Sequence, residues 1–356
     1  MSARLTARLA LITLMPLAFT PAYAAETAAQ LESRLIKNPD DMRTRFALAE
    51  MASKSNSPDK VIELLNPYTD QLDDKGFILL AMSYSNKNDF ANEVRVLNFA
   101  VNKDEENYRW HMLLAQAYVK QANAVTSDEA RAAATTSGIQ QLRRVLQLEA
   151  KYKPAFDLLL STFLKQRSNN EARELLIEGV TKFGRRPEFF RELCRLDSQD
   201  GFLVQAVSNC QESIKISTDY PDHYVFLTQA LHDQKEDVRA EKTIVVAAHK
   251  FPKSEFVQWA AGTLFLRKKN YPVATRYFEA AAKAAPNSGR AQFGLAQARF
   301  ENADAKGALE PFIRACKYDA STLDTFLSAT GRLKQQFGGR VEGLAAEYVK
   351  ASNTCR

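Results

Sequence analysis

Four cysteines and four histidines are the side chains of this 356-residue sequence with the most chemistry to offer. Histidine can ligate metal or move protons when a second donor stands at a fixed spacing. His111, His223, His232 and His249 have no such companion, and no H-E-x-x-H occurs, so each is read as a partly exposed helix residue. The cysteines form no C-x-x-C, which argues against redox catalysis and a structural zinc. Cys194, Cys210, Cys316 and Cys355 are an even number and allow three disulfide pairings. There is no glycine-rich phosphate loop and no G-x-S-x-G. The acid pairs Asp73-Asp74 and Glu105-Glu106 sit where helix N-termini are expected, and there they oppose the helix dipole without needing a catalytic role. The expectation is a protein that is not an enzyme, with no metal and no cofactor.

The elements that carry these residues repeat. Pro252 and Pro286 are 34 residues apart, and steps of 34 from Ala274 land on Ala172, Ala206, Ala240 and Ala308. A period of that length marks a stack of helix pairs. Where two antiparallel helices touch, only small side chains allow an interaxial distance of ~8–10 Å. One such site reads Leu160, Cys194, Thr228, Gly262 and Ala296 on the first helices. The second helices supply the five alanines, then Leu176, Cys210, Ile244, Phe278 and Phe312, then Gly179, Ser213, Ala247, Ala281 and Ala315. No stretch alternates with period two, so the fold class is all-α.

Residues 1–24 read as an export leader: basic at Arg4 and Arg8, apolar from Leu9 to Phe19, and small-x-small at Ala22-Tyr23-Ala24. Cleavage is expected between Ala24 and Ala25, with no lipoprotein cysteine nearby and no transmembrane segment left afterwards. The product would be periplasmic or secreted. Losing the two leader arginines lowers the formal charge from +6 to +4, a modest excess that points away from nucleic acid as a partner.

Residues 25–356 read as one continuous array. A capping helix covers 26–37, about eight repeats cover 40–319, and closing helices cover 321–353. Two departures stand out. Glu93 occupies a small site, which predicts either a helix rotated to bring Val94 inward or a looser joint. Eleven extra residues separate Tyr118 from Val145, and Thr126-Ser127-Asp128-Glu129 reads as a helix start. They predict a second helix lengthened at its N-terminal end, around 123–148.

With Ala261-Gly262, Phe265, Tyr271, Ala274, Phe278, Ala281 and Pro286 at their positions, the sequence resembles the tetratricopeptide repeat family. Pro221, Pro252 and Pro286 are read as unit ends, Pro221 being displaced by a few residues. The family's tryptophan is missing from its usual place, and Trp259 lies one position later. The resemblance implies a right-handed superhelical solenoid of helix-turn-helix repeats whose concave face is lined by first helices. Mapped onto that face, Phe46, Ile78, Leu79, Met82, Met112 and Leu113 line its N-terminal part. Lys165, Arg191 and Arg195 make a basic middle. Phe226, Trp259, Leu266, Phe293 and Phe300, with Arg267 and Arg290, line the C-terminal part. The repeat geometry also selects among cysteine pairings: Cys194 and Cys210 face each other within one helix pair, and Cys316 with Cys355 would staple the C-terminal end.

The implied function is a scaffold that holds a protein or peptide in its groove, in envelope assembly or secretion. Two alternatives from other classes are a binder of anionic envelope polymer or lipid, and an architectural subunit of a larger envelope complex.

Overall fold

The computed structural model describes residues 26–319, 322, 328, 332 and 342–353. The expected leader and Cys355 lie outside the described residues. All regular structure among the described residues is helical, and the chain divides into two compact units, Met1–Glu149 and Ala150–Arg356. The sequence alone suggested one uninterrupted array. The division falls directly after the helix pair whose length departs from 34 residues.

The first unit opens with α1 (Ala28–Lys37), closed at its N-terminus by a capping box between Thr27 and Gln30. Three antiparallel pairs follow: α2 (Met42–Lys54) with α3 (Pro58–Leu65), α4 (Asp74–Asn86) with α5 (Phe90–Lys103), and α6 (Tyr108–Ala124) with α7 (Asp128–Leu148). Their first helices start on Asp41, Asp73 and Asn107, each accepting a backbone N–H of the first turn. A 3₁₀ segment, Asn66–Gln71, leads from α3 to α4.

The eleven additional residues are not confined to one helix. α6 has 17 residues where α4 has 13, and α7 has 21 where α5 has 14. In an antiparallel pair an overhang on one arm would leave its apolar face uncovered, so both arms lengthen together. Ala122 on α6 and Ala134 on α7 are buried in the extended part.

Glu93 is buried, and so is Val94, which packs in the core of the first unit. Lys120, from the next pair, donates to the Glu93 carboxylate at 2.8 Å and to Ser85 Oγ at 2.7 Å. Arg45 is buried as well. It donates to the carbonyls of Leu64 and Pro39 and to Tyr68 Oη, with its guanidinium 4.0 Å from the Tyr68 ring centre.

The second unit holds five pairs: α8 (Lys153–Gln166) with α9 (Asn169–Phe183), α10 (Pro187–Gln199) with α11 (Leu203–Ile216), α12 (Pro221–Asp233) with α13 (Asp237–Lys250), α14 (Glu255–Arg267) with α15 (Tyr271–Ala284), and α16 (Gly289–Glu301) with α17 (Ala305–Tyr318). Pro221 opens α12 rather than ending the pair before it, because a proline in the first helical turn forfeits no hydrogen bond. A last helix, α18 (Glu342–Asn353), packs on α17 and inserts Tyr348, whose hydroxyl donates to the Ala305 carbonyl at 2.7 Å.

Ala172, Ala206, Ala240, Ala274 and Ala308 are all fully buried. Where a second helix carries a large ring, the helices beside it give way. A Cβ placed on Gly262 would lie 2.8 Å from the Phe278 ring, and Gly294 on the next first helix sits against the same ring. The turns inside the pairs share one device. Arg167, Gly201, Lys235, Lys269 and Ala303 have positive φ at intervals of 34 residues. After each, a backbone N–H reaches back to the helix, as Asn270 does to the Phe265 carbonyl at 2.9 Å. This is a left-handed helix stop, here built mostly without glycine.

Cys194 and Cys210, both buried, are joined by a disulfide with a Cα–Cα distance of 5.2 Å, as the small-site geometry predicts. Cys316 is also disulfide-bonded. A disulfide is consistent with a non-cytoplasmic location. Among the described residues no helix is long and apolar enough to cross a membrane.

Candidate interaction surface

First helices of the second unit pack side by side, α10 on α12, α12 on α14 and α14 on α16, so their outward residues form one surface. On it, Phe226 of α12 meets Phe256 of α14 edge-on at 6.4 Å between ring centres. Phe256 stacks on Trp259 one turn later, with planes 11° apart. Arg290 of α16 covers both rings, its guanidinium 5.1 Å from Phe256 and 5.3 Å from Trp259. Cation–π contacts of this kind favour Trp.

Arg290 is fixed by both oxygens of Glu255, its Nε donating at 2.8 Å, and Ser288 Oγ donates to the same carboxylate at 2.9 Å. Burial pushes the Glu255 pKa up, but the hydrogen bonds from Arg290 and Ser288 outweigh it and hold the carboxyl below its ordinary value. Glu255 therefore stays ionised, and the arginine stays over the rings.

Beside Trp259 a cleft of about 70 Å³ opens between α12 and α14, lined by Val225, Thr228, Gln229, His232, Thr263 and Arg267 among others. This is less than the ~150 Å³ that holds a benzene ring. It suits one small side chain of a larger partner. Arg267, exposed at its edge, has no ion-pair partner among the described residues.

Several residues expected on this surface are placed otherwise. Phe300 is 2% exposed: it faces inward against Phe312 and Tyr348, because α18 covers the end of the stack. Phe293 is half-buried and edge-on to Phe312 at 6.2 Å. Leu266 is half-buried next to the exposed Arg267, and Lys165 is exposed on α8. Arg191 is paired with Glu192 and Asp222, both at 2.9 Å, and Arg195 with Glu192 at 2.9 Å. These two arginines hold α10 to α12 and order α10 itself; they do not stand free for a partner's carboxylates.

In the first unit, Ile78 and Met82 are exposed on one face of α4, as is Leu113 on α6. Phe46 and Leu79 are half-buried. Met112 is buried, one position round the helix from Leu113, and is core rather than surface. Nearby, Met42, Arg43, Phe46, Gln71, Leu72 and Asp73 line an open cleft of about 300 Å³.

The histidines separate into two kinds. His232 bonds Asp237 at 2.7 Å, and its side chain and that of His249 reach solvent. His111 and His223 are buried, against expectation. His111 fits between Gln141 Oε1 at 2.6 Å and the Glu105 carbonyl at 2.9 Å. Ser213 Oγ donates to the Pro187 carbonyl at 2.6 Å, so His223 Nδ1, 2.9 Å away, donates to that oxygen. Burial pushes the His223 pKa down, which keeps the ring neutral.

Phe256 and Glu255 were not singled out from the sequence. The signal was available: Phe256 is three residues before Trp259 on one helix face and 34 before Arg290.

No protein-family model matches the chain, and no curated protein matches it. Among solved structures, it is similar to a tetratricopeptide repeat protein from Parabacteroides merdae ATCC 43184, with a TM-score of 0.49 and 11% identity over 78% of this chain and 98% of that one. It is similar to YrrB, described as a TPR protein with an unusual peptide-binding site, with a TM-score of 0.40 and 12% identity over 55% and 95%. MamA from Desulfovibrio magneticus RS-1 gives 0.39 and 18% over 48% and 94%. The eight helix pairs themselves make an all-α repeat fold consistent with the tetratricopeptide family.

Proposed function

We propose that the chain is an exported, non-enzymatic scaffold that holds a protein or peptide on the first helices of its second unit. The observation that carries this reading is the Phe226–Phe256–Trp259 cluster under Arg290, beside a one-residue cleft and the exposed Arg267. Aromatic and arginine side chains dominate binding energy where a partner excludes water. Because Glu255 holds Arg290 in position before a partner arrives, little ordering entropy remains to oppose binding. The partner contributes a small apolar side chain to the cleft and a carboxylate to Arg267. The leader-like N-terminus and the disulfide both support export, to the envelope or outside the cell.

The test is pull-down from envelope extract with mature protein, wild type against Trp259→Ala with Arg267→Ala. Neither residue is buried, so helical content by circular dichroism should be unchanged. Capture is expected to fall at least ~10-fold, about 1.4 kcal/mol. Undiminished capture by the variant would reject this surface. Capture by wild type that vanishes in added salt would favour the anionic-polymer reading, since apolar anchoring survives screening.

A further inference from the structure

The turns that lead into first helices differ in charge between the two units. In the first unit those turns, residues 38–41, 66–73 and 104–107, carry Asp40, Asp41, Asp70, Asp73, Asp104, Glu105 and Glu106 and no lysine or arginine. All but Asp41 are exposed. The corresponding turns between pairs of the second unit, residues 184–186, 217–220, 251–254 and 285–288, carry Arg185, Arg186 and Lys253 against Asp219. In addition, every second helix there ends on a lysine in its last turn: Lys182, Lys215, Lys250, Lys283 and Lys317.

Helix electrostatics do not require this segregation. A cation at a helix C-terminus is favourable by ~0.3–1 kcal/mol, yet of the second helices in the first unit only α5 has one in its last turn, Lys103, while α3 and α7 have none. An aspartate makes a good N-cap, yet α14 and α16 use Ser254 and Ser288, and α10 and α12 begin with a proline instead. Part of this charge is consumed locally, Lys182 by Glu178, Arg185 by Glu212, Arg186 by Glu188, Lys250 by Asp219 and Glu106 by Arg144, and part is not. Lys215, Lys253 and Lys283 are exposed and have no ion-pair partner among the described residues, and the same is true of Asp70, Asp104 and Glu105. Exposed Tyr220 and Tyr318 stand among the lysines, and exposed Ile36 stands beside the acidic turn at 38–41. The molecule thus carries both halves of a complementary pair of edges.

We propose that two copies of this chain associate, the acidic edge of the first unit of one against the basic edge of the second unit of the other. An anionic polymer or lipid would meet the basic edge equally well but would leave the acidic one unused and repelled. Only a second copy uses both.

The experiment is sedimentation of the full mature chain at about 20 mM and about 500 mM salt, between which the screening length falls from roughly 20 Å to roughly 4 Å. The expected mass at low salt is about twice that of one chain or more, and that of one chain at high salt. Lys215→Glu, Lys253→Glu and Lys283→Glu together should give single chains at low salt, and so should Asp70→Lys, Asp104→Lys and Glu105→Lys together. Mixing the two variants should restore association, since the intact acidic edge of the first variant can then meet the intact basic edge of the second. Wild type that remains single at low salt overturns the proposal, and so does a mixture that fails to associate. Loss of binding to anionic vesicles by the lysine variant, without any change in sedimentation, would assign the basic edge to a membrane instead.

Discussion

The two units use one building block, the antiparallel helix pair, and keep it intact by different means. The second unit repeats with a constant interval and puts small against large at every joint: Gly262 and Gly294 around Phe278, Cys194 bonded to Cys210. The first unit breaks the interval and the size rule; the longer pair is closed by lengthening both arms, and the charged residues inside are met by polar groups. Glu93 at a small site is met by Lys120; Arg45 in the core is met by two carbonyls and Tyr68. The lesson is that a helical repeat can lose its size complementarity if charge and hydrogen bonding replace it, at the cost of making the joint depend on one distant residue.

That contrast can be broken from either side. Replacing Cys194 and Cys210 with alanine is expected to destabilise the second unit by about 3 kcal/mol, as for a loop of this length, and to leave unfolding of the first unit unmoved. Chemical denaturation followed by Trp110, the tryptophan of the first unit, and Trp259, that of the second, reads the two separately. A shared shift of both signals would show that the units do not unfold independently.

Lys120→Ala leaves the buried Glu93 carboxylate unpaired. Breaking a buried pair costs ~3–5 kcal/mol, and since the Lys120 side chain is 43% exposed the expected loss is about 2 kcal/mol, now in the Trp110 signal. Glu93→Ala in the same background should recover most of it, because it restores the small residue that the other repeats carry. A double variant no more stable than Lys120→Ala would mean that Glu93 is not what Lys120 answers.

The smallest effect sharpens the comparison within the regular unit. Lys269 has φ 57° where a left-handed residue costs ~1–2 kcal/mol, while glycine loses ~0.5–1 kcal/mol in backbone entropy. Lys269→Gly should therefore stabilise by about 0.5 kcal/mol. Gly201→Ala, at the position that already has glycine, should do the reverse.

Much of this was legible in the sequence, and the limits have physical causes. The alanines, the small sites and the Cys194–Cys210 pairing follow from an interval, because close packing at a fixed spacing leaves a one-dimensional trace. The partner of Glu93 left none: Lys120 is on another helix pair, and no local rule ties a buried acid to a base that far along. The shared lengthening of α6 and α7 was hidden because alanine-rich sequence favours helix on both sides of residues 125–127 without marking where the turn falls. The left-handed turns escaped because Arg167, Lys235, Lys269 and Ala303 are not the residue types that usually signal them. For the candidate surface, the period gave the face but not its competition. Phe300 was claimed by Tyr348, and Arg191 and Arg195 by neighbouring acids.

The disulfide has a mechanical corollary. It closes a loop within a single helix pair, between residues 16 apart, and so ties nothing to its neighbours. If the protein were stretched from its two ends, the pairs of the second unit that carry no disulfide could extend to their whole length, whereas this one would withhold roughly 50 Å of contour at ~3.3–3.6 Å per residue. A reducing agent would release that slack at once, making α10 and α11 a length-limiting clip under tension.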